Sequence, residues 1–176
     1  MDAEGERIRG YLQAQAAKLT IPQLVDRIGT DMMELHQALR AVPEDRFSER
    51  PGDNDWSANE IAAHLAATSR SVARGITQVL DEGAQPERVA DAIQGTGVVR
   101  DATGWWNEIR SDRERLFDRV TKAAGDEHLE ITWQHPMFGD LNWREWLLFT
   151  RLHDLDHARQ LQQTAEALGA TSSNGR

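Results

Sequence analysis

Glycine and proline residues divide this chain into long stretches, and their spacing limits the folds that it can adopt. Both residue types are common in turns and at helix ends, and both are unfavourable inside helices. They recur at Pro22, Pro43, Pro51, Gly52, Gly83, Pro86, Gly95, Gly97, Gly125, Pro136 and Gly139. The stretches between them have the length of helices, so they predict an all-α fold with four main helices. We therefore expect a four-helix bundle with one long crossover connection.

Capping signals and apolar periodicity predict where the first helices begin. The first main helix starts at Pro22, with Thr20 before it as a cap, and a separate lead-in helix is predicted over Ala3–Lys18. The second main helix starts at Ser57, whose side chain is predicted to form a capping box with Glu60. Both main helices carry apolar residues at steps of three and four, which is typical of helices that bury one face.

The second half of the chain contains the other two main helices. The third is predicted over Thr103–Ala124, and the fourth follows Asn142 as its cap and ends near Gly169. The chain is long enough for one packed core and short for two. We expect a single domain over residues 1–169 and a disordered C-terminal tail over residues 170–176.

Two segments between the helices are predicted to be connections. Residues 130–140 fit a packed loop or a short extended pair better than a helix, so the segment is predicted to be irregular. Residues 81–101 are the long crossover connection, with a short helix predicted around Glu87–Ile93.

The composition excludes several classes of function. A formal net charge of −9 disfavours nucleic acid as a partner. No apolar stretch approaches the roughly 20 residues that cross a bilayer, so we expect a cytoplasmic protein without membrane contact. Cysteine is absent, which excludes disulfides, thiolate metal ligands and a cysteine nucleophile. Any sulfur chemistry must therefore use a small-molecule thiol.

Three of the six histidines have the spacing of a metal site. His153 and His157 are four residues apart on the fourth main helix, so the second ring is rotated by only about 40° from the first. His64 lies on the inner face of the second main helix, and facing helices of a bundle commonly assemble metal sites. A histidine on an apolar face is also often a hydrogen-bonded core residue, so the spacing alone leaves both interpretations open. Three converging neutral imidazoles would suit zinc, nickel or iron(II).

The other histidines and the nearby acidic residues are predicted to lie outside the metal site. His36 is predicted at the boundary of the core, His128 in a polar segment, and His135, which precedes a proline, at an exposed turn. Asp154 points about 100° away from its ligand neighbour, so a surface or interhelix salt bridge is predicted for it. Glu60 is a candidate catalytic base, although its capping box already accounts for it.

Three segments of the sequence carry a resemblance to a known family. They are the runs Trp56–Leu65, His135–Gly139 and Asn142–His157. Together they resemble the DinB/YfiT-like superfamily of four-helix metalloproteins, and the resemblance extends over most of the chain. In that superfamily one histidine on the second helix and a His-x-x-x-His pair on the last helix bind the metal. This pattern maps onto the three histidines identified above.

The resemblance implies a choice among metal-dependent activities. Superfamily members include S-transferases that use bacillithiol or mycothiol, a mycothiol-dependent maleylpyruvate isomerase and metal-dependent hydrolases. We expect an S-transferase in which one divalent ion, zinc or nickel, activates a low-molecular-weight thiol for attack on an electrophile. The alternatives are a hydrolase that uses a metal-bound water, for which no carboxylate base has a suitable spacing, and a non-catalytic, metal-stapled stress-response module.

The resemblance also implies a homodimer, because superfamily members are often dimeric. Trp106 is predicted on the inner face of the third main helix, and its neighbour Trp105 cannot share that face. One of this pair, or Trp133, is therefore a candidate for contact with a partner subunit or a ligand pocket.

Overall fold

The protein is built from five helices and a two-stranded hairpin in the part of the chain that the structure describes. The computed structural model describes residues 3–87 and 97–173, with side chains described as far as Gly169. The main elements are α1 (Ala3–Lys18), α2 (Ile21–Ala41), α3 (Ala58–Glu82), α4 (Ala102–Val120), β1 (Thr132–His135), β2 (Gly139–Asn142) and α5 (Trp143–Ser173). The predicted lead-in helix is α1, and the four predicted main helices are α2 to α5. The all-α prediction is confirmed.

Reciprocal hydrogen bonds at two helix N-termini explain where α3 and α5 begin. At α3, Glu60 N donates to Ser57 Oγ (3.2 Å), and Ser57 N donates to the Glu60 carboxylate (2.9 Å). At α5, Glu145 N donates to Asn142 Oδ1 (3.1 Å), and Asn142 N donates to the Glu145 carboxylate (3.0 Å). Each pair satisfies backbone amides that have no partner inside the helix. Both predicted helix starts are confirmed.

The hydrophobic core lies between α2, α3, α4 and α5, and α1 packs against α5. Aliphatic side chains from all four helices are fully buried there, including Leu24, Ile28, Leu35, Leu39, Ile61, Leu65, Ile76, Ile109, Leu147 and Leu161. Burial of this apolar surface is the main force that holds the bundle together. Among the described residues, none of the helices is both long enough and apolar enough to span a membrane.

A short antiparallel hairpin precedes α5 and packs on its first turns. β1 pairs with β2 in a register that sets His135 opposite Gly139. The indole rings of Trp133 and Trp146 stack with centroids 5.2 Å apart, and Trp146 Nε1 donates to Trp133 O (3.2 Å). Gly139 has a φ of 72°, a left-handed conformation that favours glycine, so the chain can reverse at this point. The segment predicted as irregular is therefore an extended pair, one of the two forms considered for it.

Two helix ends differ from their predicted positions. α4 ends at Val120 rather than at Ala124, because Lys122 N and Ala123 N donate to the carbonyls three residues earlier, those of Arg119 and Val120, and so form tighter turns. α5 continues to Ser173 rather than ending near Gly169. A single glycine inside a helix costs only about 1 kcal/mol, so Gly169 does not stop it.

The connection between α3 and α4 is described only in part. α3 ends at Gly83, whose φ of 59° is a left-handed helix cap. The helix predicted around Glu87–Ile93 falls mainly on residues 88–96, which lie outside the described residues. The predicted single domain over residues 1–169 stays a prediction.

The two neighbouring tryptophans of α4 occupy different environments from those predicted. Trp105 lies in the core, 2% exposed, and its Nε1 donates to Asn59 Oδ1 (2.8 Å). Trp106 is only partly buried and stacks on His36 with ring centroids 4.4 Å apart. An indole N–H needs an acceptor when it is buried, and Asn59 supplies one inside the bundle. Trp105 and Trp133 are therefore core residues, and Trp106 is the partly exposed member of the pair.

A buried ion pair joins α4 to α5. The side chains of Arg113 and Asp154 are each 1% exposed, and their charged atoms lie 3.1 Å apart. The guanidinium also donates to Thr150 Oγ1 (2.6 Å) on α5 and to Ser69 Oγ (3.0 Å) on α3. The interhelix salt bridge predicted for Asp154 is confirmed. Such a pair is tolerated in a core because each charge has a partner, and removal of one partner leaves the other charge uncompensated.

We expect Asp154→Leu to lower the free energy of unfolding by about 3–5 kcal/mol, because the charge of Arg113 then stays buried without a partner. Urea unfolding in the presence of a chelator measures this loss without any contribution from a bound metal. The double variant with Arg113→Met should recover most of it, because no charge then remains buried.

The exposed pair Arg110–Glu114 supplies the control, with side chains 53% and 62% exposed. Glu114→Ala should change the free energy of unfolding by less than about 1 kcal/mol. If Asp154→Leu lowers the free energy of unfolding no more than Glu114→Ala does, the buried pair does not stabilise the bundle.

Candidate metal centre

Three histidines converge between α3 and α5. His64 lies on α3, and His153 and His157 lie on α5; one ring nitrogen of each falls within 4.8 Å of the others. The Nε2 atoms of His64 and His153 are 3.1 Å apart. Nitrogens that bind one zinc ion at about 2.0–2.1 Å lie roughly 3.4 Å from one another, so the cluster is close to the size that an ion requires. These are the three residues that the sequence singled out.

Local helix geometry brings the three rings to one place. His153 and His157 are one turn apart on α5, so their rings lie on the same face, with centroids 4.5 Å apart. His64 lies two turns after the start of α3, whose first residue is set by the capping box at Ser57. Because α3 packs against α5, its inner face presents His64 to the pair, and the His64 and His157 centroids are 4.9 Å apart.

Burial favours the neutral form of His153 and His157, which is the form that binds a metal. The pKa of His153 lies well below its ordinary value, mainly because the ring is buried and also because His157, His64 and Arg113 disfavour a further positive charge. Burial also lowers the pKa of His157, although a hydrogen bond to Gln160 opposes this effect.

Gln160 fixes the tautomer of one candidate ligand. His157 Nδ1 lies 2.8 Å from Gln160 Oε1, and this amide oxygen can only accept a hydrogen bond. Nδ1 therefore carries the proton, and Nε2 is left with a free lone pair. A ring held in this way is typical of a metal ligand whose orientation is set by an outer partner. A donor set of three imidazoles thus fits a divalent ion such as zinc or nickel.

A small cavity adjoins the histidines at the start of α3. The edge of Trp56 contacts His64, with ring centroids 5.3 Å apart. The cavity has a volume of about 190 Å³ and is lined by Arg50, Trp56, Asn59, Glu60, Ala63, Gly97 and Val98. Trp56 belongs both to this cavity and to the surroundings of His64, so it links the two.

The carboxylate considered as a catalytic base has other partners. Glu60 accepts hydrogen bonds from Ser57 N and Ser57 Oγ, both 2.9 Å, and forms an ion pair with Arg50. The contact with Arg50 is the largest of the effects that lower the pKa of Glu60 to about 2. A carboxylate this acidic is a poor base near neutral pH. Within the described residues, the converging cluster itself contains no carboxylate.

His135 is buried, so the prediction that it is an exposed turn residue is wrong. Its ring is 6% exposed and lies against Trp146 and Phe149, with ring centroids 5.0 and 4.4 Å away. Burial lowers the pKa of His135 to about 4. Side chains of a strand alternate between its two faces, and His135 therefore shares the inner face of β1 with the buried Trp133. The sequence could have given this signal only if the segment had already been identified as a strand.

The two remaining histidines lie away from the cluster. His36 stacks on Trp106 at the boundary of the core, as predicted for it. The side chain of His128 is 40% exposed, and its Nδ1 lies 3.8 Å from the Glu130 carboxylate. Neither ring belongs to the group of converging ligands.

Replacement of His135 is expected to make the stability of the metal-free protein less dependent on pH. Its pKa is about 4 in the folded chain and 6.5 ordinarily, so the unfolded chain binds more protons between these values. The stabilisation is therefore complete above about pH 6.5 and is lost as the pH falls toward 4. The free energy of unfolding of the wild type, measured with urea, should fall between about pH 7 and about pH 5. In His135→Asn this fall should be smaller by roughly 2 kcal/mol.

The matched control for that measurement is His128→Asn. His128 is exposed and has a φ of 56°, a conformation that asparagine tolerates. A pH dependence that changes as much in His128→Asn as in His135→Asn would show that burial of His135 is not its cause.

Three solved structures share this fold. YfiT from Bacillus subtilis, described as a probable metal-dependent hydrolase with an unusual four-helix bundle topology, has 14% sequence identity and a TM-score of 0.68 over 85% of this chain and 87% of its own. The four-helix bundle protein TT2238 has 22% identity and a TM-score of 0.60 over 82% of this chain and 99% of its own. A mutant of the mycothiol-dependent maleylpyruvate isomerase has 12% identity and a TM-score of 0.65 over 84% of this chain and 62% of its own.

Sequence comparison gives the family. The uncharacterized protein YuaE from Bacillus subtilis (strain 168) is 20% identical over 159 residues, which are 77% of this chain and 93% of YuaE. The sequence model of the DinB superfamily matches residues 28–161, a span that contains all three converging histidines. The chain therefore belongs to the DinB superfamily.

Proposed function

We propose that this protein binds one divalent metal ion, zinc or nickel, through His64, His153 and His157 and uses it to transfer a low-molecular-weight thiol to an electrophile. The observation that carries the proposal is the convergence of three imidazoles between α3 and α5. Three neutral nitrogen ligands leave coordination positions open for a further molecule. When bound, such an ion supplies Lewis acidity that lowers the pKa of a thiol toward neutrality.

The side chains around the histidines support thiol transfer over hydrolysis. Water attack needs a general base, and Glu60, the carboxylate considered for this role, is held by Arg50 and Ser57. A thiol is much more acidic than water, so the same ion would leave more of it deprotonated without a further base. Because the chain has no cysteine, the thiol must enter as a small molecule, and the cavity beside Trp56 offers about 190 Å³ for part of it.

The similar structures point to both chemistries. YfiT is described as a probable metal-dependent hydrolase, and the maleylpyruvate isomerase is described as mycothiol-dependent. Their sequence identities to this chain are 14% and 12%, so neither activity transfers to this chain by similarity. Thiol transfer is our choice because of the side chains described above. The cytoplasmic location and the homodimer expected from the sequence stay predictions.

The first test is metal content. Elemental analysis of the purified protein should find about one equivalent of a divalent first-row metal. His153→Ala and His157→Ala should each remove most of it, whereas His36→Gln, outside the cluster, should retain it. A chelator should lower the melting temperature of the wild type, because an ion that binds only the folded state stabilises it. Unchanged metal content in both alanine variants would place the metal elsewhere.

The second test is thiol consumption. The zinc-loaded protein should accelerate the reaction of mercaptoethanol, bacillithiol or mycothiol with chlorodinitrobenzene or cyclohexenone. The acceleration should be lost in His64→Ala, retained in His36→Gln, and reduced at acid pH, because protons compete for the imidazoles and for the sulfur. No protein thiol contributes background alkylation, since the chain has no cysteine.

Two results would replace thiol transfer with another function. Hydrolysis of esters or amides without any thiol, and without thiol transfer, would favour a metal-dependent hydrolase. Intact metal with no activity toward a broad panel of thiols, electrophiles and esters would favour the non-catalytic, metal-stapled module.

A further inference from the structure

One ring nitrogen of His135 is fixed as a hydrogen-bond donor. The other nitrogen, Nδ1, accepts hydrogen bonds from the backbone N–H groups of Met137 (3.1 Å) and Phe138 (3.3 Å). A nitrogen that accepts carries no proton, so the neutral ring has its proton on Nε2. Burial favours the neutral ring, since it lowers the pKa of His135 to about 4. The Nε2–H group therefore stays a neutral donor near physiological pH.

This donor has no acceptor among the described residues. Both hydrogen bonds of the His135 ring that the structure describes end at Nδ1. Nε2 is absent from the described buried atoms that have neither a partner nor solvent exposure, so it is not fully sealed from solvent. A buried N–H group is almost always paired with protein, water or a ligand. Nε2–H is thus available to a bound molecule.

The ring of His135 lies one aromatic side chain away from the histidine cluster. Its centroid is 4.4 Å from that of Phe149, and the Phe149 centroid is 5.4 Å from that of His153. A charge on His135 also acts on the pKa of His153, so the two rings are electrostatic neighbours. His135 does not belong to the converging ligands. Its position suits contact with a small molecule that extends from the cluster.

The surroundings of His135 favour an uncharged acceptor. Phe138 stacks on the ring at 4.4 Å, and Trp146 and Phe149 flank it. Burial alone accounts for the shift of the His135 pKa, without a contribution from a charged neighbour. A carboxylate bound against these aromatic rings would lose its hydration, which is costly. A carbonyl oxygen needs only the hydrogen bond.

We propose that His135 positions the electrophile by donating a hydrogen bond from Nε2–H to a carbonyl oxygen conjugated to the carbon–carbon double bond that the thiol attacks. This inference rests on the proposed thiol transfer and specifies its electrophile as an α,β-unsaturated ketone or aldehyde. The bond strengthens as the oxygen gains negative charge during the reaction, so it stabilises the transition state more than the bound substrate.

The addition is balanced in atoms and electrons. The thiolate sulfur forms a bond to the β-carbon, the π bond of the alkene breaks, and its electron pair moves to the carbonyl oxygen. The α-carbon then takes up a proton, which replaces the one that the thiol lost. The net reaction adds S–H across the double bond without an oxidant or a reductant. His135 keeps its proton throughout and acts as a positioning donor.

Two substitutions separate the roles of the two nitrogens of His135. In His135→Asn, the side-chain oxygen can replace Nδ1 as the acceptor for the turn amides, while the donor at Nε2 is lost. In His135→Gln, the longer amide can place an N–H group near the position of Nε2. His135→Asn therefore removes the N–H donor while the turn keeps its acceptor. His135→Gln tests whether a donor can be restored.

The zinc-loaded protein is assayed with mercaptoethanol and one of two electrophiles, cyclohexenone or benzyl chloride, which has no carbonyl group. His135→Asn should lower kcat/KM for cyclohexenone by about 100-fold and leave the value for benzyl chloride unchanged. His135→Gln should recover part of the loss, and His128→Asn should match the wild type. Equal loss for both electrophiles, or no loss for cyclohexenone, would overturn the inference.

Binding of cyclohexanone, a saturated ketone that cannot react, gives a readout independent of activity. In protein with isotope-labelled histidine, the nuclear magnetic resonance signal of His135 Nε2–H is identified as the one that is missing from His135→Asn. This signal should shift when the ketone is added, with or without zinc. An unchanged signal at high ketone concentration would overturn the inference.

The two proposals fail in different ways. Thiol addition that is equally fast in the wild type and in His135→Asn contradicts only the role of His135. Absence of thiol consumption with every electrophile, while cyclohexanone still shifts the signal of His135, contradicts the proposed thiol transfer.

Discussion

The buried guanidinium of Arg113 on α4 is the contact on which the arrangement of the histidines depends. It binds Asp154 on α5 and Ser69 on α3, so three helices meet at one charge. If α3 shifted along α5, the guanidinium would lose a hydrogen-bond partner, and such a loss is costly for a buried charge. Asp154 follows His153 directly, and Ser69 lies little more than one turn after His64. The helix register that satisfies Arg113 is therefore the register that brings the histidines together.

Aromatic packing gives the two sides of the cluster different properties. On one side, Trp56 contacts His64 and lines a small cavity at the start of α3. On the other side, Phe149 separates His153 from His135, which the hairpin carries. Burial lowers the pKa of His153 and of His135, so these two rings are neutral near physiological pH. One side can thus supply ligands with free lone pairs, while the other supplies an N–H donor.

The carboxylates that lie near the histidines in sequence have structural partners. Glu60 caps α3 and pairs with Arg50, and Asp154 pairs with Arg113 inside the bundle. Neither belongs to the converging cluster, which within the described residues consists of imidazoles alone. The absence of a carboxylate base there is what distinguishes the thiol chemistry proposed for this protein from hydrolysis.

The sequence by itself determined the helices and the candidate ligands, because the features that predict them are local. A capping box sets the start of a helix, and a step of four residues places His153 and His157 on one face whatever packs against it. The apolar pattern of α3 likewise identified His64 as an inward-facing residue. The burial of His135 was decided only by the tertiary structure. Local rules for a residue before proline predicted an exposed turn, whereas contact between the hairpin and Trp146, which comes later in the chain, places the ring inside.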